Sequence, residues 1–281
     1  MNQINVDTMI AAAPKPSGLS QATAIEQSRA VAEVQAAILV AKAEPRDIDR
    51  ARREMQISCS QMGMADRAFF TFPRAGKAVT GSTIHLAREL ARCFGNIQYG
   101  FGELSRGATE SEMMAWAWDL ELNALSRQTF IVPHRRDTKG GTLALKTDRD
   151  IYEVSANMGA RRLRAAIGAI LPIWFVDEAE EMCRQTLTRG ESVPLTGGGS
   201  GSSTKGAAKS LAERRAKAVV ALEVYNVTQG QIEARLGVKM AEWTPENLAT
   251  LRIDLRSIKE GAVKVGEVFP AERVTTAELA K

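Results

Sequence analysis

The stretch Glu112-Met113-Met114-Ala115-Trp116-Ala117-Trp118-Asp119-Leu120-Glu121-Leu122 decides the fold class. Large apolar residues alternate through it with small or acidic ones, which is the period of a strand and not of a helix. Met114, Trp116, Trp118, Leu120 and Leu122 fall on one face; Ala115, Ala117, Asp119 and Glu121 fall on the other. The large apolar face is expected to pack as core, with base stacking by the two tryptophans as the alternative. The acids of the second face read as plain solvent-facing surface.

Working outward, Ile97, Tyr99 and Phe101 alternate in the same way upstream, and a third strand is expected from about Arg127 to His134. Short polar turns between neighbours predict an antiparallel meander. Ala68-Phe69-Phe70-Thr71-Phe72 is strand-like, Pro73 to Lys77 is turn chemistry, and Ala78-Val79-Thr80 is the returning strand. A helix is predicted from Ser82 as N-cap to Phe94, before Gly95. Arg135 to Gly141 reads as a basic loop, followed by a long helix from Asp148 to Leu171 that Pro172 stops. Further helices are expected over Ala22–Ala43, Arg46–Met62 and Val176–Thr188, and over Ala207–Tyr225, Thr228–Leu236 and Pro245–Glu260.

The class is therefore α+β: an antiparallel β-meander packed against long helices, with a C-terminal three-helix bundle on a flexible linker. Thr196-Gly197-Gly198-Gly199-Ser200-Gly201-Ser202-Ser203 has the composition of a random-coil tether. The division implied is a disordered lead over 1–20, the α+β core over 21–195, the linker over 196–206, the helical module over 207–270 and a tail over 271–281.

The 281 residues carry a net charge of only +4, so the placement of charge has to identify any polyanionic partner. Cys59, Cys93 and Cys183 are scattered, which fits neither a disulfide framework nor zinc-ligand spacing. The opening residues lack the basic head and apolar run of a secretory signal, and no stretch approaches the ~20 apolar residues of a spanning helix. The expected location is the cytoplasm. Nucleotide-binding glycine loops, a nucleophile elbow and a His-Glu metalloprotease pair are all missing, so no enzyme class is indicated. Asp119 and Glu121 lie near Glu103, with His134 and Asp137 a strand away; Asp119, Glu121 and His134 are the candidates to hold Mg²⁺ in a nuclease, although no cofactor is required by the sequence.

Cations are placed more suggestively. At 100° per residue, Asn157, Arg161, Arg164 and Gly168 share a stripe of the long helix, while Tyr152, Ala156, Leu163, Ile167 and Ile170 form an apolar one. Arg162 projects on another side. The planar fork of arginine suits phosphate, and a solvated face with local ion pairs is the plainer alternative. Arg88 and Arg92 follow His85 along the earlier helix, and loops add Arg74, Lys77, Arg135, Arg136, Lys139, Lys146 and Arg149. Brought to one side of the sheet, these side chains would form a groove for a single strand. In the module, Val227 to Val238 is similar to the first half of a helix-turn-helix, but no basic helix follows Gly237 directly, which favours protein docking over DNA reading.

Several stretches resemble one phage branch of the single-strand annealing proteins, the broad Red-beta and RecT group. They are Val79-Thr80-Gly81-Ser82 through Ala87-Arg88, Gly95-Asn96-Ile97, Trp118-Asp119-Leu120-Glu121, Val132-Pro133-His134, and Asn157 through Ala160-Arg161-Arg162-Leu163-Arg164. The tail from Leu236-Gly237 through Trp243-Thr244, Leu251-Arg252 and Lys259-Glu260-Gly261 to Phe269-Pro270 is similar to the tail of the same branch. The resemblance implies ATP-independent binding and annealing of single-stranded DNA by a ring or helical filament of identical subunits. It also implies that the C-terminal module docks an exonuclease or the host single-strand-binding protein. The alternatives are the metal-dependent nuclease and a sequence-specific regulator acting through the C-terminal helices.

Overall fold

The computed structural model describes residues 21–74, 77–138, 141–194 and 210–270, and within these it leaves the side chains of 21–24, 27, 73–77, 137 and 138 undescribed. The expected lead, linker and tail, and Lys139, lie outside the described residues, as do the side chains of Arg74 and Lys77. The chain divides into two units, residues 1–45 and 46–281.

In the first unit, α1 (Gln21–Ala43) ends two residues before Pro45, where helical angles become unfavourable. Arg29 pairs with Glu33 one turn on. Exposed Ile25, Val31, Val34, Leu39 and Val40 are spread around the axis and form no single stripe.

The second unit is built on the meander β3 (Ile97–Arg106), β4 (Glu110–Asp119) and β5 (Ala124–Pro133), antiparallel and in chain order. The three-strand expectation holds, but the covered face is the opposite one. Met113, Ala115, Ala117 and Asp119 are buried, whereas Met114, Trp116 and Trp118 lie half-exposed on the far side. The reason is helix approach. Alanines leave room for the long helix α5 (Asp148–Ile170) to lie close against β4 and β5. At the closest point Gly159 faces Phe101: a Cβ there would stand 2.4 Å from the ring. Gly159→Ala therefore sets ~1 kcal/mol of better helix propensity against overpacking of ~1–3 kcal/mol. The ring itself blocks the methyl, so a net loss of about 1–2 kcal/mol is expected in urea unfolding, relieved by Phe101→Ala in the same chain.

Around that layer pack α2 (Ile48–Cys59), α3 (Met62–Ala68), α4 (Ile84–Phe94) and α6 (Ile173–Arg189). Met55, Leu86, Leu90, Phe94, Leu163, Ile167 and Phe175 share one core. Two small hairpins flank it: β1 (Phe69–Arg74) with β2 (Lys77–Ser82), and β6 (Arg135–Thr138) with β7 (Gly141–Ala144). The basic segment expected to be a loop after residue 134 is thus a hairpin. Leu163 and Ile167 of the expected apolar stripe of α5 face inward, joined by Ser155, Gly159 and Ala166, whereas Tyr152 is exposed.

The C-terminal helices α7 (Leu211–Glu223), α8 (Gln229–Leu236), α9 (Pro245–Lys259) and the short α10 (Val265–Val268) enclose a second core around fully buried Trp243. Trp243 donates its indole N–H to the Val238 carbonyl at 3.1 Å, and its own carbonyl accepts from Arg215. Glu233 ties the turn after α8 together: Lys239, Gln229 and the Met240 N–H hold its carboxyl down at about 2. A depressed carboxyl contributes stability that is present above the unfolded value near 4.5 and lost as pH falls through about 2. Glu233→Gln should remove that contribution, lowering the melting temperature modestly at neutral pH, leaving it unchanged near pH 2, and so flattening the acid limb between them.

This bundle is seated on the meander body through α9, which contributes Ala249 and Ile253 to the first core while Leu248, Leu251 and Ile258 serve the second. Buried Asp254 accepts from Thr71 Oγ1 at 2.7 Å and from Arg235 at 3.1 Å, and Ser257 Oγ accepts the Thr71 N–H at 2.7 Å. Arg252 pairs with Asp66 on the rim. Removing everything after residue 203 would strip β1 and α6 of these contacts, so truncation does not test the body alone.

Candidate nucleic-acid interface

The arginines of α5 are positioned by their helix and sorted by the strands on either side. Relative to Arg161, Arg162 is rotated by +100° and Arg164 by −60°. Arg164 turns toward the β1–β2 hairpin. Its Nη1 donates to the Ser82 carbonyl at 2.6 Å, and its guanidinium stands 5.1 Å above the Phe70 ring. Phe70 in turn stacks on Phe72 at 5.5 Å. Gly81 makes this possible, since a Cβ there would meet the Phe70 ring at 3.3 Å. Arg162 turns the other way, with its guanidinium 5.7 Å from the Phe130 ring on β5. Exposed Arg161 lies between them.

Among the described residues, none of these three arginines has an ion-pair partner. Burial first, and the neighbouring Arg161 cation second, push the Arg164 guanidinium below its ordinary value. Such uncompensated like charges favour an anion in their midst. The two ring contacts hold the outer guanidiniums in place by cation–π attraction.

Of the other predicted cations, Arg88 is exposed on α4, the helix that starts beside Ser82. Arg135 and Arg136 are exposed on β6; Lys146 and Arg149 are exposed at the start of α5. Arg92 differs: it is held by Glu89 at 2.8 Å and Glu54 at 3.5 Å, which raises its own value and leaves little charge for a ligand. Arg74 and Lys77 pair in register at the end of the β1–β2 hairpin.

The acidic grouping does not assemble. Asp119 pairs with Ala124 at one end of the β4–β5 ladder, and His134 follows Pro133, which pairs with Glu110 at the other end. Nine strand residues at about 3.3 Å each separate them by about 30 Å. Asp119 is fully buried and accepts from Arg46 Nη2 at 2.6 Å, with Glu121 3.2 Å from Arg46 Nε. Burial works against the Glu121 carboxylate, but the Arg46 N–H, Asn96 and the Arg46 guanidinium together keep it below its usual value. Arg46 also lies 4.1 Å from the Phe94 ring. His134 Nε2 shares a 2.8 Å hydrogen bond with buried Ser111. Among the described residues, no cluster of three or more His, Cys, Asp or Glu side chains is placed to hold a metal ion.

Sequence reasoning missed Arg46, whose partners lie more than seventy residues away. On β1, Phe69 is buried under Arg184, whereas Phe70 and Phe72 stack on each other beside Arg164. As for a regulator's reading helix, α9 is buried on two sides, and the helix-turn-helix likeness stops at α8.

No family model matches the chain, and neither a curated protein nor a solved structure shows significant similarity to it. Among the described residues, no helix is long and apolar enough to cross a membrane.

Proposed function

We propose that this protein binds single-stranded DNA along its phosphate backbone and anneals it to a complementary strand without ATP. The observation that carries the reading is the unpaired arginine set on α5, two of whose members rest on aromatic rings from different strands. A sugar-phosphate chain crossing α5 would pass from Arg164 and Phe70, over Arg161, to Arg162 and Phe130. Phosphates meet forked donors, and the half-exposed ring edges offer bases a stacking surface without sequence preference. Arg88 extends the path along α4; Arg135, Arg136, Lys146 and Arg149 add diffuse attraction.

Annealing needs no catalytic group, because base pairing drives the product downhill. The protein has to concentrate two strands and leave their pairing edges free, which backbone contacts achieve. Identical subunits side by side would extend the path along a strand. A pocket of about 610 Å³ between α6, α7 and α9 has Leu187, Leu248 and Leu251 among its apolar lining and Arg189, Arg256 and Lys259 among its cations. It is the place we assign to a docked exonuclease or host single-strand-binding protein.

The test is to incubate end-labelled complementary oligonucleotides with the full chain and Mg²⁺, without nucleotide, and read both duplex yield and strand length. Faster duplex formation with strands of unchanged length supports annealing. Shortened strands would make the protein a nuclease, and binding confined to one duplex sequence would make it a regulator.

A further inference from the structure

The face of the β3–β4–β5 sheet turned away from α5 carries Met114, Trp116 and Trp118 on β4, with Leu125, Arg127, Thr129 and Ile131 beside them on β5. Leu125 and Ile131 are about half exposed, at 47% and 50%, and both tryptophans are partly open to solvent. On β3 the same face offers Gln98, Gly100 and Gly102, and Trp116 lies over Gly100, where a Cβ would come within 3.2 Å of the indole. The result is a low, apolar surface. Besides exposed Glu110 at its end, the face carries one anion and one cation near its middle, Glu112 and Arg127, both exposed. Among the described residues, neither has an ion-pair partner in its own chain, in contrast to Arg46, Arg92 and Arg235.

We infer that this face is a contact between two copies of the chain, packed sheet against sheet about a two-fold axis. The charges select that occupant. Glu112 is opposite Ile131, and Arg127 is opposite Trp116, so the two lie on either side of the Met114–Thr129 level. An axis crossing the strands at that level sets Arg127 of one copy beside Glu112 of the other, twice over, with Met114 and Trp116 between them. A nucleic acid would need several cations here, and the face has one. The arrangement is self-complementary, as a two-fold contact requires.

Size sets the strength. Three strands about 4.8 Å apart and about 30 Å long give roughly 400 Å² of flat footprint per copy. A stable interface covers about 800 Å² per partner, so the contact is a weak, transient one. It closes at two copies; a ring or filament needs a separate head-to-tail contact. The inference stands apart from the strand-binding reading, because the face lies on the opposite side of the sheet from the α5 arginines.

Crosslinking of the full chain in the absence of DNA tests it. Thr129 lies on this face near the axis; Gln128, its exposed neighbour, points to the other face. The native cysteines are all buried. With a short bis-maleimide, Thr129→Cys should give a covalent dimer and Gln128→Cys should not. Arg127→Glu and Glu112→Lys should each weaken Thr129→Cys crosslinking about tenfold, and the two together should restore it. Equal crosslinking at both positions, none at Thr129→Cys, or no restoration in the double variant would overturn the contact. So would loss of single-strand affinity in Arg127→Glu with crosslinking unchanged, which would make the face a base-stacking surface.

Discussion

Arg161→Glu combined with Arg162→Glu should lower the affinity for a single strand by two orders of magnitude or more at physiological salt. Each side chain loses a charge-assisted bond to phosphate, worth about 1.5–3 kcal/mol, and installs a repulsive carboxylate in its place. Two such losses make about 3–6 kcal/mol, or ~10²–10⁴-fold in affinity. Both positions are exposed, so the fold should survive with an unchanged circular dichroism spectrum and melting temperature. Arg164 is a poorer choice for this test. It is half-buried and anchors α5 to the Ser82 carbonyl, so its loss mixes binding with stability. The neutral pair Arg161→Gln and Arg162→Gln gives a second readout. The slope of log affinity against log salt should become shallower by about 1.4, the value for two lost contacts to a single strand. An unchanged slope would mean that neither side chain meets a phosphate.

The largest effect on stability should come from Arg46→Met. Arg46 is 6% exposed and Asp119 is fully buried, so removing the cation leaves a carboxylate without compensation in the interior. Breaking a buried pair from one side costs about 3–5 kcal/mol, a large share of an ordinary domain's stability. The cost belongs to the stranded charge more than to the pair. Arg46→Met with Asp119→Asn should therefore recover most of the loss, since asparagine can still accept the Glu121 and Leu122 N–H groups that Asp119 Oδ1 accepts at 3.0 and 3.1 Å. Urea unfolding of the two single variants and the double variant would show it. Equal stability of Arg46→Met and the unaltered chain would refute the account of Asp119 and Glu121 as structural acids and reopen their use in chemistry.

Local pattern carried much of the fold. The alternation in β4, the Thr244-Pro245 start of α9 and the stop at Pro172 are short-range signals, and the elements fall where those signals place them. What local pattern could not carry was which face of β4 is covered. Bulk pointed to the tryptophans, but close helix packing selects small residues, and the deciding partner, Gly159, lies over forty residues away. The hairpin at 135–144 was hidden because its charged residues lack the alternation that marks a half-buried strand. The docking of the C-terminal bundle was hidden for another reason. A Gly/Ser stretch reports the composition of a connection and says nothing about whether its two ends meet. The trace was in α9 itself, where Leu248, Leu251 and Ile258 sit beside a second set, Ala249 and Ile253, so that the helix is apolar over more than one stripe.

The candidate site divides in the same way. The α5 arginines were legible from helical spacing alone. Their separation into an arm on Phe70 and an arm on Phe130 depends on strands about ninety and thirty residues upstream, which no period within the helix encodes. Arg92 shared the spacing of its neighbour Arg88 but is neutralised by Glu89 and Glu54, because an i, i+3 acid on its own helix is close enough to capture it.

Annealing kinetics of the full chain bear most directly on the central claim. Two complementary oligonucleotides, one carrying a fluorophore and one a quencher, are mixed without ATP in the presence of the unaltered protein or the Arg161→Glu, Arg162→Glu variant. Rapid quenching is expected with the unaltered chain and the unassisted rate with the variant, at equal thermal stability. Equal acceleration by both proteins would contradict that claim.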